Sequence, residues 1–532
     1  MNKYFLILSF SFSILILPLI LNGNEIVRLK IENSSNVSFS ALNEQIHCSK
    51  SVSLFYQKRF FKLAWNSKTS SELLTAIKEA DQEGLNPRDY HFEKLQQFLT
   101  NSTKTEFQKA ELDILLTDAF LLYTSHLFSG KVNPQTIDAE WHVVRREGNP
   151  LEILENAIES GDIKNAIQAT MPKHEIYKNL KKTLKIYREK TNESWANIPI
   201  GETIKENGND ERLSIIRERL FILGDLKDKT TENPSFYDEN LFKAIQLFQK
   251  RNGLEDDGNI GKKTIATLNI SLEQRINQIE ANLERWRWLQ QEFGNYYLKV
   301  NIANFELEVI KDGKLIRTHK IIVGKPFRKT PVFSSKMQYL VLNPTWTVPP
   351  GILNADVLPA VKKDVSYLEK KKLSVLDNQG NQIKISEIDW NSKAVKGYTY
   401  RQPPGPENAL GAVKFMFPNQ FHVYLHDTPS KELFSKNERA FSSGCIRVQE
   451  SLVLAEYFLN DEVNWNRESI NKVVETRKTQ TVQLKEQPNV HLLYWTAWVD
   501  SNGNVNFRND IYERDKPLLD QLNEKPPILR TN

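Results

Sequence analysis

The sequence predicts a multidomain α+β protein: a helical scaffold domain, a small three-helix domain, and a mostly β domain in the second half. Three observations support this. Apolar residues recur at helical spacing through the first half, three short helical patterns crowd into about 60 residues near the middle, and strict alternation begins after Gly294. At 532 residues the chain exceeds one ordinary domain, and 40% hydrophobic content with ten tryptophans suffices for several cores. The 71 basic and 66 acidic side chains nearly balance, which argues against nucleic acid as a partner. Two cysteines, Cys48 and Cys445, are too few for a disulfide framework.

Residues 1–24 open with Lys3 and continue uncharged from Tyr4 to Asn24, the pattern of an export signal or of an uncleaved membrane anchor. Residues 25–205 read as the helical domain. Its best helix carries Leu112, Leu115, Leu116, Ala119 and Tyr123 on one face and stops at Gly130. His126 lies close to that stripe and reads as a satisfied, partly buried histidine. In 206–272, Leu213, Ile216 and Leu220 mark one helix. Leu241, Ala244, Ile245 and Phe248 mark a second, and Thr264 to Leu268 begin a third. Residues 273–293 read as a charged helical connector. The β-rich unit spans 294–480, with strands expected at 297–302, 305–310, 320–323, 339–342 and 422–425, and a hairpin turn at Lys311-Asp312-Gly313-Lys314. A polar insertion at 355–400 reads as a lid or a solvated excursion. The last segment, 481–532, is expected to pack back on the helical domain.

Two stretches carry chemistry. In Phe421-His422-Val423-Tyr424-Leu425-His426, strand alternation would place His422, Tyr424 and His426 on one face. In Ser442-Ser443-Gly444-Cys445-Ile446-Arg447-Val448, Cys445 and Arg447 would share a face opposite Ile446 and Val448. If the two strands are neighbours, a thiol, an imidazole and a guanidinium meet, and nearby cations favour the thiolate. Taken alone, Cys445 could be a small buried residue, His426 could be satisfied by a neighbour, and Arg447 could pair with a carboxylate. His422, His426 and Cys445 could also hold zinc, although no HExxH-like helix is present.

The segment His426-Asp427-Thr428-Pro429, with its histidine nineteen residues before Cys445 of Ser443-Gly444-Cys445-Ile446-Arg447, resembles the L,D-transpeptidase signature. Thr330-Pro331, Asn343-Pro344-Thr345-Trp346, Arg401 to Pro406, Thr496-Ala497-Trp498 and Asp510-Ile511-Tyr512 resemble the large YcbB-type branch of that family, as do Phe55-Tyr56, Ala64-Trp65 and Gly84 to Pro87. Arg217 to Leu220, Gln249, Gly253-Leu254 and Asp257-Gly258 resemble a peptidoglycan-binding domain. The resemblance implies a YkuD-like catalytic domain with Cys445 as acylated nucleophile and His426 as base. Tyr424, Gly444, Arg447 and Ser443 would shape the site or hold the oxyanion. Trp346 and His422 are candidates for substrate contact. The implied reaction joins peptidoglycan tetrapeptide stems, donor and acceptor, without metal or organic cofactor, in the periplasm alongside other wall-synthesis enzymes. Carbapenems are implied as acylating agents. The same residues could run an L,D-carboxypeptidase or D-amino-acid exchange, and a non-catalytic peptidoglycan-binding scaffold is the alternative of another class. Ser443 departs from the histidine that many smaller family members carry there.

Overall fold

A computed structural model describes residues 22–33 and 39–528. The export or anchor reading of 1–24 therefore falls, through residue 21, outside the described residues. Among the described residues no helix is long and apolar enough to cross a membrane.

The helical region is built around α1 (Glu106–Ser129), whose N-terminus is closed by a reciprocal capping box between Thr105 and Gln108. Seventeen of its 24 residues are buried, on all sides rather than one. Two buried carboxylates on α1 gather the surrounding chain. Asp113 accepts from Tyr56 Oη (2.6 Å) and from the amides of Ala64 and Trp65, and Asp118 accepts from the Cys48 amide (2.6 Å) and His91 Nε2 (2.9 Å). Such charge-assisted bonds are about twice as strong as neutral ones, which accounts for the Phe55-Tyr56 and Ala64-Trp65 motifs. His126 is buried, with Nδ1 3.1 Å from Tyr90 Oη.

Helices α2 (Arg212–Leu223), α3 (Glu239–Arg251) and α4 (Lys262–Leu268) enclose a core of their own that includes Leu213, Leu241, Phe248 and Ile265. Gln249 organises the loop after α3, accepting from the Gly258 amide and donating to Asn259 O, both at 2.9 Å.

Helix α5 (Leu272–Arg287) differs from the charged connector its composition suggests. Its second half, Ala281 to Arg287, is wholly buried between the helical region and the β domain, with Glu284 paired to Arg287 and Arg285 paired to Asp515 at 2.6 Å.

The β domain is one curled sheet of eleven strands: β1 (Tyr296–Asn301), β2 (Glu306–Lys311), β3 (Lys314–Gly324), β4 (Phe333–Lys336), β5 (Tyr339–Leu342), β6 (Val413–Met416), β7 (Leu425–His426), β8 (Ala440–Ser442), β9 (Ile446–Val448), β10 (Gln480–Gln483) and β11 (Asn489–Leu493). The order is β10-β5-β6-β7-β9-β3-β2-β1-β11-β4, with β8 alongside β3. Asp312 and Gly313, both at positive φ, close the β2–β3 hairpin in the sense that suits strand twist. Two expectations need correction. The sheet does not end at 480: β11 pairs between β1 and β4, while 515–523 forms α6 (Asp515–Asn523) against α5 and the helical region. The strand expected over 422–425 is only Leu425–His426, because Asn419 ties the preceding residues into a turn. Its Oδ1 accepts from the Phe421 and Val423 amides, both at 3.1 Å, and His422 adopts φ 54°. The insertion is less polar than its composition suggests: a three-stranded sheet that it shares with Trp346–Thr347, and a separate apolar core that includes Val357, Leu368, Val375 and Tyr400, give it order.

Candidate active site

Parallel pairing of β7 with β9 builds the site. Leu425 faces Ile446 and His426 faces Arg447 across the two strands. Leu425, Ile446 and Val448 are buried beneath the sheet, so Tyr424, His426, Cys445 and Arg447 share the other face. The strands are held at the nucleophile by Ile446 N–H donating to Tyr424 O at 3.1 Å.

The turn before Cys445 is braced from three sides. Gly444 adopts φ 117°, where a side chain would be strained. Its carbonyl accepts from Thr330 Oγ1 at 2.8 Å, and Ser442 Oγ donates to Cys445 O at 2.5 Å. Thr330 is held in turn by Tyr512, whose hydroxyl accepts from the Thr330 amide (3.1 Å) and donates to Gly324 O (2.7 Å). Gly324 permits this packing, since a Cβ there would lie 2.1 Å from Arg328 O and 2.9 Å from Thr330 N. Gly324→Ala is expected to cost about 1–3 kcal/mol through overpacking. It should also slow chemistry at Cys445, because the displaced Thr330 is what supports Gly444. Thermal unfolding alongside turnover would check this, and an unchanged melting temperature would contradict it.

His426 is buried, and its Nδ1–H donates to Asp427 O at 2.5 Å. A carbonyl can only accept, so the proton sits on Nδ1 and Nε2 is left as the basic nitrogen. Burial, with Arg447 and then Lys414 adding to it, pushes the imidazole down to about 3 against the carbonyl's opposing effect. The thiol departs from the thiolate expected from its cationic neighbours. Burial raises Cys445 above its ordinary range and outweighs the Tyr424 hydrogen bonds and the Arg447 and Lys414 charges. The resting pair is a neutral thiol and a neutral imidazole. Burial likewise raises the Tyr424 phenol, which stays protonated and able to donate.

All eight residues singled out in the sequence (Trp346, His422, Tyr424, His426, Ser443, Gly444, Cys445 and Arg447) line one cavity of about 820 Å³. They take part differently. His422 is exposed and offers its backbone carbonyl, 3.7 Å from Cys445 Sγ. The Gly444 amide, a candidate oxyanion donor, is already given to Ser442 Oγ at 3.1 Å. Ser443 Oγ accepts from Arg328, which also forks onto Asp356 of the insertion at 2.6 and 3.0 Å. Cys48 is buried in the helical region and both cysteines are free. Among the described residues no three His, Cys, Asp or Glu side chains converge on a point that could hold a metal ion.

Sequence reasoning missed three contributors. Thr330 and Tyr512 lie in stretches quoted only for resemblance, and Lys414 lies in none. It also missed the cavity's far walls, formed by residues 134–141 of the helical region and 513–518 of the C-terminal segment. Phe421 at the rim stacks on His142 at 4.2 Å.

The comparisons agree with this architecture. Residues 295–464 match the family model described as "L,D-transpeptidase catalytic domain", residues 209–268 match "Putative peptidoglycan binding domain", and residues 50–184 match "Scaffold domain". A Haemophilus influenzae protein named "Putative L,D-transpeptidase" is 37% identical over 279 residues, 51% of this chain and 56% of that relative's length. The crystal structure of an L,D-transpeptidase fragment from Xylanimonas cellulosilytica aligns over 56% of this chain and 99% of its own, at 13% identity and a TM-score of 0.18. Residues 295–464 thus match the L,D-transpeptidase catalytic-domain family, in a chain whose other regions match the models of a scaffold domain and of a "Putative peptidoglycan binding domain".

Proposed function

We propose that the protein forms 3→3 cross-links in peptidoglycan through a Cys445 acyl-enzyme. The observation that carries this reading is the β7–β9 register, which sets a thiol and a neutral imidazole with a free Nε2 on one face of one cavity.

Cys445 Sγ attacks the carbonyl that joins the third residue of a tetrapeptide stem to terminal D-Ala, and the S–H proton passes to His426 Nε2. Tyr424 Oη–H and the Cys445 amide hold the oxyanion, as donors fixed in place before charge develops there. As the intermediate collapses the C–N bond breaks, the Nε2 proton goes to the departing amine, and a thioester remains. The side-chain amine of a second stem then attacks the thioester. Its proton returns through Nε2 to the sulfur, which leaves as a thiol, and the new amide is the cross-link. A neutral pair suits this cycle, since the base must be uncharged at the attack and acidic once loaded.

The peptidoglycan-binding domain supports a role in holding the enzyme on its polymeric substrate. On the export reading of residues 1–24 the protein works in the periplasm, released or anchored at the inner membrane, among other wall-synthesis enzymes. Carbapenems, as strained acyl donors, would acylate the same sulfur.

Mass spectrometry of the full chain incubated with a disaccharide-tetrapeptide tests the proposal. The expected result is D-Ala release, an acyl adduct on Cys445 and a cross-linked dimer. D-Ala release with no dimer would convert the assignment to L,D-carboxypeptidase. An unmodified Cys445 with no D-Ala released would overturn it in favour of a wall-binding scaffold.

A further inference from the structure

His426 is flanked on both sides by cations. Lys414 of β6 is its cross-strand partner in the antiparallel β6–β7 pair, and Arg447 of β9 is its partner in the parallel β7–β9 pair. Side chains of cross-strand partners share a face, with Cβ atoms about 5 Å apart, so Lys414, His426 and Arg447 form one row across three strands. Val413 and Phe415 are buried on either side of Lys414, which fixes its side chain on the site's face. Its Nζ lies 5.6 Å from the centre of the Tyr424 ring, the ring whose hydroxyl meets the Cys445 thiol.

One carboxylate opposes this row. Asp427 favours the imidazolium through its backbone carbonyl and also through its charge, although that carboxylate accepts from the Ala412 amide at 2.9 Å and is itself paired with Lys431; burial and the two cations together outweigh it. Glu432 acts on Arg447. Tyr424 stays protonated, and Cys445 becomes negative only on losing its proton.

We infer that Lys414 is a positioning residue for the reaction: its ammonium, opposite Arg447, adds to burial and to Arg447 in keeping His426 uncharged until the thiol attacks, and helps to draw the Cys445 proton off by stabilising the developing thiolate. Once loaded, the imidazolium sits between two cations and is driven to surrender its proton to the departing amine. Lys414 does not line the substrate cavity, so it acts through Tyr424, His426 and Cys445. This role rests on the Cys445–His426 assignment.

The sign of the test follows from charge alone. Lys414→Met removes a cation, which favours the imidazolium and disfavours the thiolate, so both groups titrate at higher pH. The experiment measures the pH profile of kcat/KM for D-Ala release. Separately, it measures the rate of Cys445 alkylation by iodoacetamide in the full chain, with Cys48→Ala as background. In Lys414→Met the acid limb of the first and the midpoint of the second are expected to rise, the alkylation midpoint by about one unit, or about tenfold slower alkylation at a fixed pH below it. Lys414→Arg is expected to return both toward the parent values. Unmoved midpoints in Lys414→Met, or in Lys414→Gln should the methionine variant not fold, would overturn the inference, as would equal shifts in the arginine variant. Alkylation needs no wall substrate. A shifted alkylation midpoint in a protein that releases no D-Ala would sink the transpeptidase assignment and leave the Lys414 role standing.

Discussion

Alanine at position 445 is expected to lower D-Ala release and cross-linking by on the order of 10⁴-fold or more, the scale of removing a nucleophile from a unit that works only when complete. His426→Ala should cost a similar factor, and the double variant little beyond either single one, because thiol and imidazole act on the same proton. Stability should hardly change. Cys445 is only partly buried, and its sulfur makes only weak contacts, with His422 O at 3.7 Å and with Tyr424; a change of that kind sits within about 1 kcal/mol. Sedimentation with isolated sacculi should also be unchanged, since the three-helix domain has a core of its own. The combination matters. Chemistry lost with binding and folding kept would separate an enzyme from a wall-binding scaffold. A Cys445→Ala protein that still released D-Ala would move the nucleophile elsewhere and sink the mechanism above.

What could be read in the sequence was local. Alternation through 297–310 locates β1 and β2 within a residue, the Asp312-Gly313 turn marks their neighbouring hairpin, and helical spacing marks α2 and α3. These patterns work because a side chain's face is set by near neighbours. The site was legible only conditionally: Cys445, Arg447, Tyr424 and His426 meet if two short strands are adjacent, and adjacency is a long-range fact that the β7–β9 pairing supplies. Lys414 was invisible for the same reason. Its position opposite His426 depends on a third strand, and a lone lysine between apolar residues looks like any edge of a sheet. The expected thiolate failed for a different reason. Sequence shows which charges neighbour a thiol, but the desolvation that outweighs them here is a property of packing. The charged stretch before Gly294 misled in the same way, its polarity turning out to be internal.

That buried polarity gives the second large effect. Glu284 and Arg287 are both fully buried on α5 and paired with each other. Glu284 also accepts from the Val132 amide at 2.7 Å and from Trp288 Nε1 at 3.3 Å, while Arg287 donates to Glu83 O at 2.7 Å. Burial works against the Arg287 charge, yet Glu284 and Tyr177 hold its pKa above the ordinary range. Glu284→Ala would strand a guanidinium in the interior, and is expected to destabilise by about 3–5 kcal/mol. Glu284→Gln keeps an acceptor and should lose less. Because α5 and the sheet share one core with the helical region while α2–α4 enclose another, calorimetry of the full chain should show the main transition falling and that of the three-helix domain staying put. No shift, or equal shifts in both, would contradict the assignment of α5 to the shared core. Activity should fall even below the new melting temperature. The Val132 amide that Glu284 anchors lies two residues before 134–141, the stretch that walls the active cavity opposite the sheet. Loosening that anchor would open the cavity to water and favour hydrolysis of the acyl-enzyme over transfer to an amine, so the ratio of free tripeptide to cross-linked product should rise in Glu284→Ala before total turnover is lost.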